Sequence, residues 1–185
     1  LTNDGWDGTI RGDLSGIDLD ALVTSQFPHT ISGEANLHIE RAHVVGGRVV
    51  EAEGTVTAGP GAIGRSLLVS GSQRLKLTAP GSVSKDAMSR FERLHFDFSL
   101  DSAGLRLVGR CPAGAMLVDA SGRVLWSQPS EPSQPIVAFV QMLVPASQLH
   151  VPATMESEWL IRHLPVPRIV APREAANAPS GHLKR

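Results

Sequence analysis

Residues 31–58, ISGEANLHIERAHVVGGRVVEAEGTVTA, decide the fold. In its first half Ala35, Leu37 and Ile39 alternate with Glu34, Asn36, His38 and Glu40. A period of two puts successive side chains on opposite sides of an extended backbone, so this piece predicts a strand with one apolar and one polar face. Gly46 and Gly47 supply the positive φ that a tight hairpin turn requires. The return piece, residues 48–58, repeats the alternation, with Val50 and Ala52 out of phase with Glu51 and Glu53. One antiparallel hairpin follows, greasy on one side and charged on the other.

The pattern recurs further along. Leu94-His95-Phe96 echoes Leu37-His38-Ile39, and Gly104 lies as far beyond Leu94 as Gly47 lies beyond Leu37. Phe96, Phe98 and Leu100 share one face of that strand, while His95, Asp97 and Ser99 share the other. Leu105 and Leu107 continue the apolar set after the turn. Residues 116–118 and 124–126 flank Asp119-Ala120-Ser121-Gly122 as another hairpin. The expected fold class is mainly β with a few short helices, a curved antiparallel meander built from two repeated hairpin units, 1–80 and 84–128.

Around these hairpins the signals are mixed. Glycine at 5, 8, 12 and 16 disfavours a helix and predicts short strands with tight bends over residues 1–20. Residues 18–23 predict one or two helical turns capped by Asp18. Gly59-Pro60-Gly61 to Ser66 reads as a turn leading into a short helix that takes in Leu67 to Val69, followed by a strand over 73–78 with Leu75 and Leu77 inward. Met88, Phe91 and Leu94 fit a helical stripe over 84–93. The apolar run 136–144 is too short to cross a bilayer and predicts a helix lying on the sheet. An amphipathic helix is expected over 156–164, so helices populate 136–164. Residues 1–167 form one β-rich domain or lobe, and 168–185, rich in proline, alanine and basic residues, a disordered tail or linker. The opening Leu1-Thr2-Asn3 reads as the start of an excised segment, with any membrane anchor in the missing N-terminal part.

Composition removes several functions. Seventeen basic against 18 acidic side chains give a net charge of -1, without the bulk attraction to phosphate expected of a nucleic-acid binder. Tyrosine is absent and aromatic residues make up 4%, which removes the usual base-stacking platforms. One cysteine, Cys111, excludes an internal disulfide and leaves too few thiolates for a cysteine-built zinc site. The glycines at 59, 61 and 64 lack the lysine of a phosphate-binding loop.

Chemistry-bearing groups are sparse. His38 and His43 fall on opposite faces of a regular strand and share a metal only if that strand is irregular. The aspartates at 4, 7, 13, 18 and 20 lack EF-hand spacing and read as turn and capping residues. His95 and Asp97 share a strand face, with no nucleophile placed beside them. Cys111 reads as a small half-buried hydrophobe. No catalytic residue, metal site or cofactor is expected, and the protein is read as a non-enzyme. The inward set Leu37, Ile39, Val50, Phe96, Phe98, Leu105 and Leu107 would line an apolar groove able to shelter acyl chains.

The residues from Trp6 to Leu68, with WDGTIRGDLSGIDLDALV and ISGEANLHIERAHVVGGRVVEAEGTVTAGPGAIGRSLL, resemble the C-terminal β-rich region of bacterial AsmA-like envelope proteins. FERLHFDFSLDSAGLRLVGRC repeats the same rhythm of short strand, turn and glycine. The resemblance implies a taco-like groove, a periplasmic or cell-envelope location, and a part in phospholipid transport between membranes or in membrane homeostasis. The expected partner is then lipid or phospholipid acyl chains. The alternative is a structural or interaction module of an envelope or secretion assembly, with the sheet edges and the proline-rich loop 131–135 contacting protein. A hydrolase centred on His95 and Asp97 is a third reading.

Overall fold

The computed structural model describes residues 6–78 and 87–144. Strand β1 (Gly8–Asp18) leads through a single wide helical turn (Asp20–Thr24) to β2 (Ile31–Ser32). The hairpin β3 (Glu34–Val45) and β4 (Arg48–Ala58) follows, then β5 (Gly61–Gly64), helix α1 (Arg65–Arg74) and β6 (Leu77–Thr78). The second half contains β7 (Met88–Phe91), β8 (Arg93–Asp101), β9 (Gly104–Gly109), β10 (Ala115–Val118), β11 (Val124–Pro129) and helix α2 (Ile136–Leu143).

Eight strands form one open, curved antiparallel sheet in the order β1-β3-β4-β8-β10-β11-β6. Strand β9 pairs with the remaining length of β8, beside β10. The expectation of a mainly β, curved antiparallel sheet with a few short helices therefore holds, while duplication of the hairpins is not established. A second, three-stranded sheet, β2-β5-β7, lies beside the large one.

The core sits at one end of the large sheet. Ala35, Ala58 and Leu94 from the sheet pack with Ile63 and Phe91 from the small sheet and with Leu67 and Leu68 from α1. Leu117, Trp126 and Met142 belong to the same cluster, as do Leu105 and Leu107. Helix α1 is tied to its neighbours by polar contacts as well. Trp126 Nε1 donates to the Leu68 carbonyl at 3.2 Å, and Ser70 Oγ donates to the Met142 carbonyl at 2.7 Å. A buried indole N–H usually needs such an acceptor.

Several expectations are corrected. Among the described residues of 1–20, from Trp6 onward, there is one eleven-residue strand rather than several short ones, because a bulge between Leu14 and Ile17 absorbs the glycine-rich bend without ending the pairing. The helix expected over 84–93 is a strand where it is described, at Met88–Phe91. Ser89 and Phe91 are buried and Met88 and Arg90 exposed, a period of two that the spacing of Met88, Phe91 and Leu94 disguises. The strand expected over 73–78 shrinks to its last two residues, Leu77–Thr78, since α1 runs to Arg74 and Leu75 and Lys76 form the connection. Leu75 and Leu77 are nonetheless buried, as expected. The apolar run 136–144 forms α2, with Met142 inward and Val137 and Phe139 exposed. Residues 156–164 and 168–185 lie outside the described residues.

Candidate functional site

Strand pairing carries the apolar alternation of each strand across the whole sheet, because directly paired residues point to the same face. One row reads Leu14, Leu37, Val56, Phe96 and Gly109. The next reads Gly12, Ile39, Gly54, Phe98 and Leu107, and a third Ile10, Ala42, Ala52, Leu100 and Leu105. A fourth, Ile17, Ala35, Ala58, Leu94 and Leu117, runs into the core. Val44 and Val49 pair beyond the third row, at a register shift that takes in Val50.

Thus all seven residues picked from the sequence belong to strands of this sheet, and six of them stand in rows of its apolar face. They differ in cover. Leu105 and Leu107, 6% and 9% exposed, are part of the core. Leu37, Ile39, Val50, Phe96 and Phe98 are half-buried. Sequence reading did not include Ile10 and Leu14, which extend the apolar rows to the edge and are 41% and 51% exposed. The glycines around them hide the alternation of β1. Gly54 opens space for a ring: a Cβ there would stand 3.0 Å from Cε1 and Cζ of Phe98, so the Phe98 ring lies over the Gly54 backbone.

The proline-rich loop covers the far edge. Gln134, 3% exposed, exchanges both backbone hydrogen bonds with Leu105, at 2.7 and 2.8 Å. That pairing occupies the free side of β9 at its start. The opposite edge, β1, is exposed along almost its entire length.

On the polar face the rows carry hydrogen-bonded charges. Asp13 and His38 pair through Nδ1 at 2.6 Å. Asp97 accepts from Thr55 Oγ1 at 2.9 Å and from Arg110 Nε at 2.6 Å. The Arg110 guanidinium holds the Asp97 carboxyl below the usual carboxylate range, with the Thr55 hydroxyl and the charge on His95 adding to the effect against partial burial. Asp97 is therefore engaged in a structural ion pair. A bulge in β3 between Ile39 and Arg41 brings His38 and His43 to the same polar face, correcting the opposite-face expectation. They remain about 15 Å apart along the strand, at ~3.3 Å per residue. Among the described residues no three histidine, cysteine or acidic groups come together to hold a metal.

Two of the aspartates, Asp7 and Asp18, serve a turn and a cap, whereas Asp13 lies within β1 against His38 and Asp4 lies outside the described residues. Asp18 accepts from the N–H groups of Asp20 and Ala21, and Asp7 accepts from that of Gly46 at the hairpin turn. Cys111 is buried with Ala115 and Val118, and desolvation pushes its thiol pKa up. A depression of about 340 Å³ opens mainly between polar side chains, among them Glu34, Asn36, Glu92, Arg93 and His95. Among the described residues no helix is long and apolar enough to cross a membrane.

Comparisons with protein-family models, curated proteins and solved structures find no match.

Proposed function

We propose that this protein is a non-enzymatic cell-envelope domain that shelters lipid acyl chains on the apolar face of its curved sheet, contributing to phospholipid transport or membrane homeostasis. One observation carries the reading. The apolar rows start at Phe98 and Phe96, which pack against the core, and continue beyond it through half-buried Ile39 and Leu37 to exposed Ile10 and Leu14. Soluble domains seldom leave so contiguous an apolar surface without something to place on it. Acyl chains suit the surface because its rows offer aliphatic and aromatic carbon with no polar group to orient a head group. The charged reverse face would keep the domain in water. The resemblance to AsmA-like proteins supports the same reading and the periplasmic location.

Native mass spectrometry of gently purified protein tests this. Co-purifying phospholipid, or uptake of added phospholipid from vesicles, is the expected result. Ile39→Glu and Phe98→Glu should each reduce loading at least about tenfold, since a charge cannot be desolvated under hydrocarbon. Ile39 is the cleaner position, because Phe98 also packs against the core. Protein that carries no lipid and ignores vesicles would refute the proposal. The second reading, an interaction module, is favoured by the open β1 edge, and strand addition there is compatible with a lipid-covered face.

A further inference from the structure

We infer that β1 pairs antiparallel with β1 of a second copy of this chain, about a two-fold axis through Gly12. The edge strand presents unpaired backbone N–H and C=O groups, a template for another strand. Proteins that avoid such pairing blunt the edge with charged side chains, lysine above all, with proline or with a bulge; the two charges here, Arg11 and Asp13, are of opposite sign. Residues 8–14, GTIRGDL, contain neither lysine nor proline; the register shift between Ile10 and Gly12 places its extra residue in β3, and β1 itself bulges after Leu14.

The segment is also complementary to itself. With Gly12 on the axis, Arg11 stands opposite Asp13 of the second copy, and Asp13 opposite its Arg11. Ile10 and Leu14 pair in the same reciprocal way. The charged pairs lie on the polar face with His38, and the apolar pairs lie on the face of Leu37 and Ile39. Shifting the axis by one residue to Asp13 would set the two aspartates against each other, so charge selects the register. Arg11 forms no ion pair among the described residues, leaving its guanidinium for this contact.

Gly12 points the same way. A Cβ there would meet nothing within 4 Å, and its φ is not left-handed, so the described fold gives no reason for glycine. Glycine inside a strand weakens it and often marks the approach of another backbone. A two-fold axis perpendicular to the sheet keeps both apolar faces on one side, making one continuous apolar surface across two copies. The inference does not depend on what covers that surface.

Five paired residues, 10–14, bury less than a standard interface, so the dimer is weak and concentration-dependent. Sedimentation of the 185-residue chain over a rising concentration series should show monomer and dimer in exchange. Arg11→Asp and Asp13→Arg, each setting two like-charge pairs against one another, should weaken association about tenfold or more. The double swap R11D/D13R should restore it. Gly12→Cys should form a disulfide between copies under mild oxidation, with buried Cys111 silent. Both charged positions are exposed, so an unchanged melting temperature controls for folding. A chain that stays monomeric, or a dimer indifferent to the charge variants, overturns the inference. Measuring association with and without bound lipid separates this result from that of the lipid test.

Discussion

Asp97, which shares a strand face with His95, is tied into a hydrogen-bonded ion pair. Its strand neighbours offer a histidine, but its carboxylate oxygens accept from Thr55 and Arg110. Because the folded-state pKa lies below the unfolded one, the contribution to stability is full above the unfolded value, about 3.9, and fades as pH falls through the folded value. Asp97→Asn should lower stability by about 1 kcal/mol at neutral pH. It should also flatten the acid limb of the stability-pH curve. Urea denaturation between pH 7 and pH 3 measures both effects. A variant with the wild-type acid limb would show that other carboxylates dominate it. The sequence placed Asp97 correctly on the polar face. It did not place Arg110, thirteen residues away, because β9 and the following turn must form before the guanidinium reaches back across β8.

Among the elements, α1 depends on contacts that its own sequence leaves obscure. Its Gly71 lies against Trp126, where a Cβ would stand 2.6 Å from Cζ2 and 3.1 Å from Cδ1 of Leu77. Alanine favours an isolated helix over glycine by up to about 1 kcal/mol. Overpacking costs about 1–3 kcal/mol, so Gly71→Ala should destabilise by about 1–2 kcal/mol. Thermal or urea unfolding checks the sign; a stabilised variant would mean that the indole moves aside readily. Such positions explain why helix and strand boundaries in residues 59–78 and 87–93 differ from those the periodicity predicts. The pieces there are only two to four residues long apart from α1, and a period needs a longer run to be recognised. Conversely, β3, β4 and β8 are nine to twelve residues long and alternate clearly, so their existence and facing were legible.

Across the whole molecule, the apolar face divides into a core end and an open end, and substitutions should report the division. Leu117 is 1% exposed, and Leu117→Ala should cost about 2–5 kcal/mol through the cavity it leaves. Leu37→Ser, on the half-buried rows, should cost distinctly less while weakening lipid uptake. Parallel melting and loading measurements distinguish the two classes. If Leu37→Ser proved as damaging to the fold as Leu117→Ala, the open end would have to be counted as core, and the lipid proposal would lose its support.

The chain's alternation of apolar and polar residues by itself determined a β-rich protein, the turns at Gly46-Gly47 and Gly104, and which side of β3, β4, β8 and β9 is greasy. That information is local, because a period of two assigns the face of every residue in a regular strand. Tertiary structure alone decided which greasy residues are covered. Leu105 and Leu107 became core, while Ile39 and Phe98 stayed half-open, according to where α1, α2 and the small sheet dock. It also set the bulges in β1 and β3 that shift register and bring His38 and His43 to one face. Docking and register depend on pairings between distant residues, whose energies add up only when the sheet is assembled, so no local pattern could announce them.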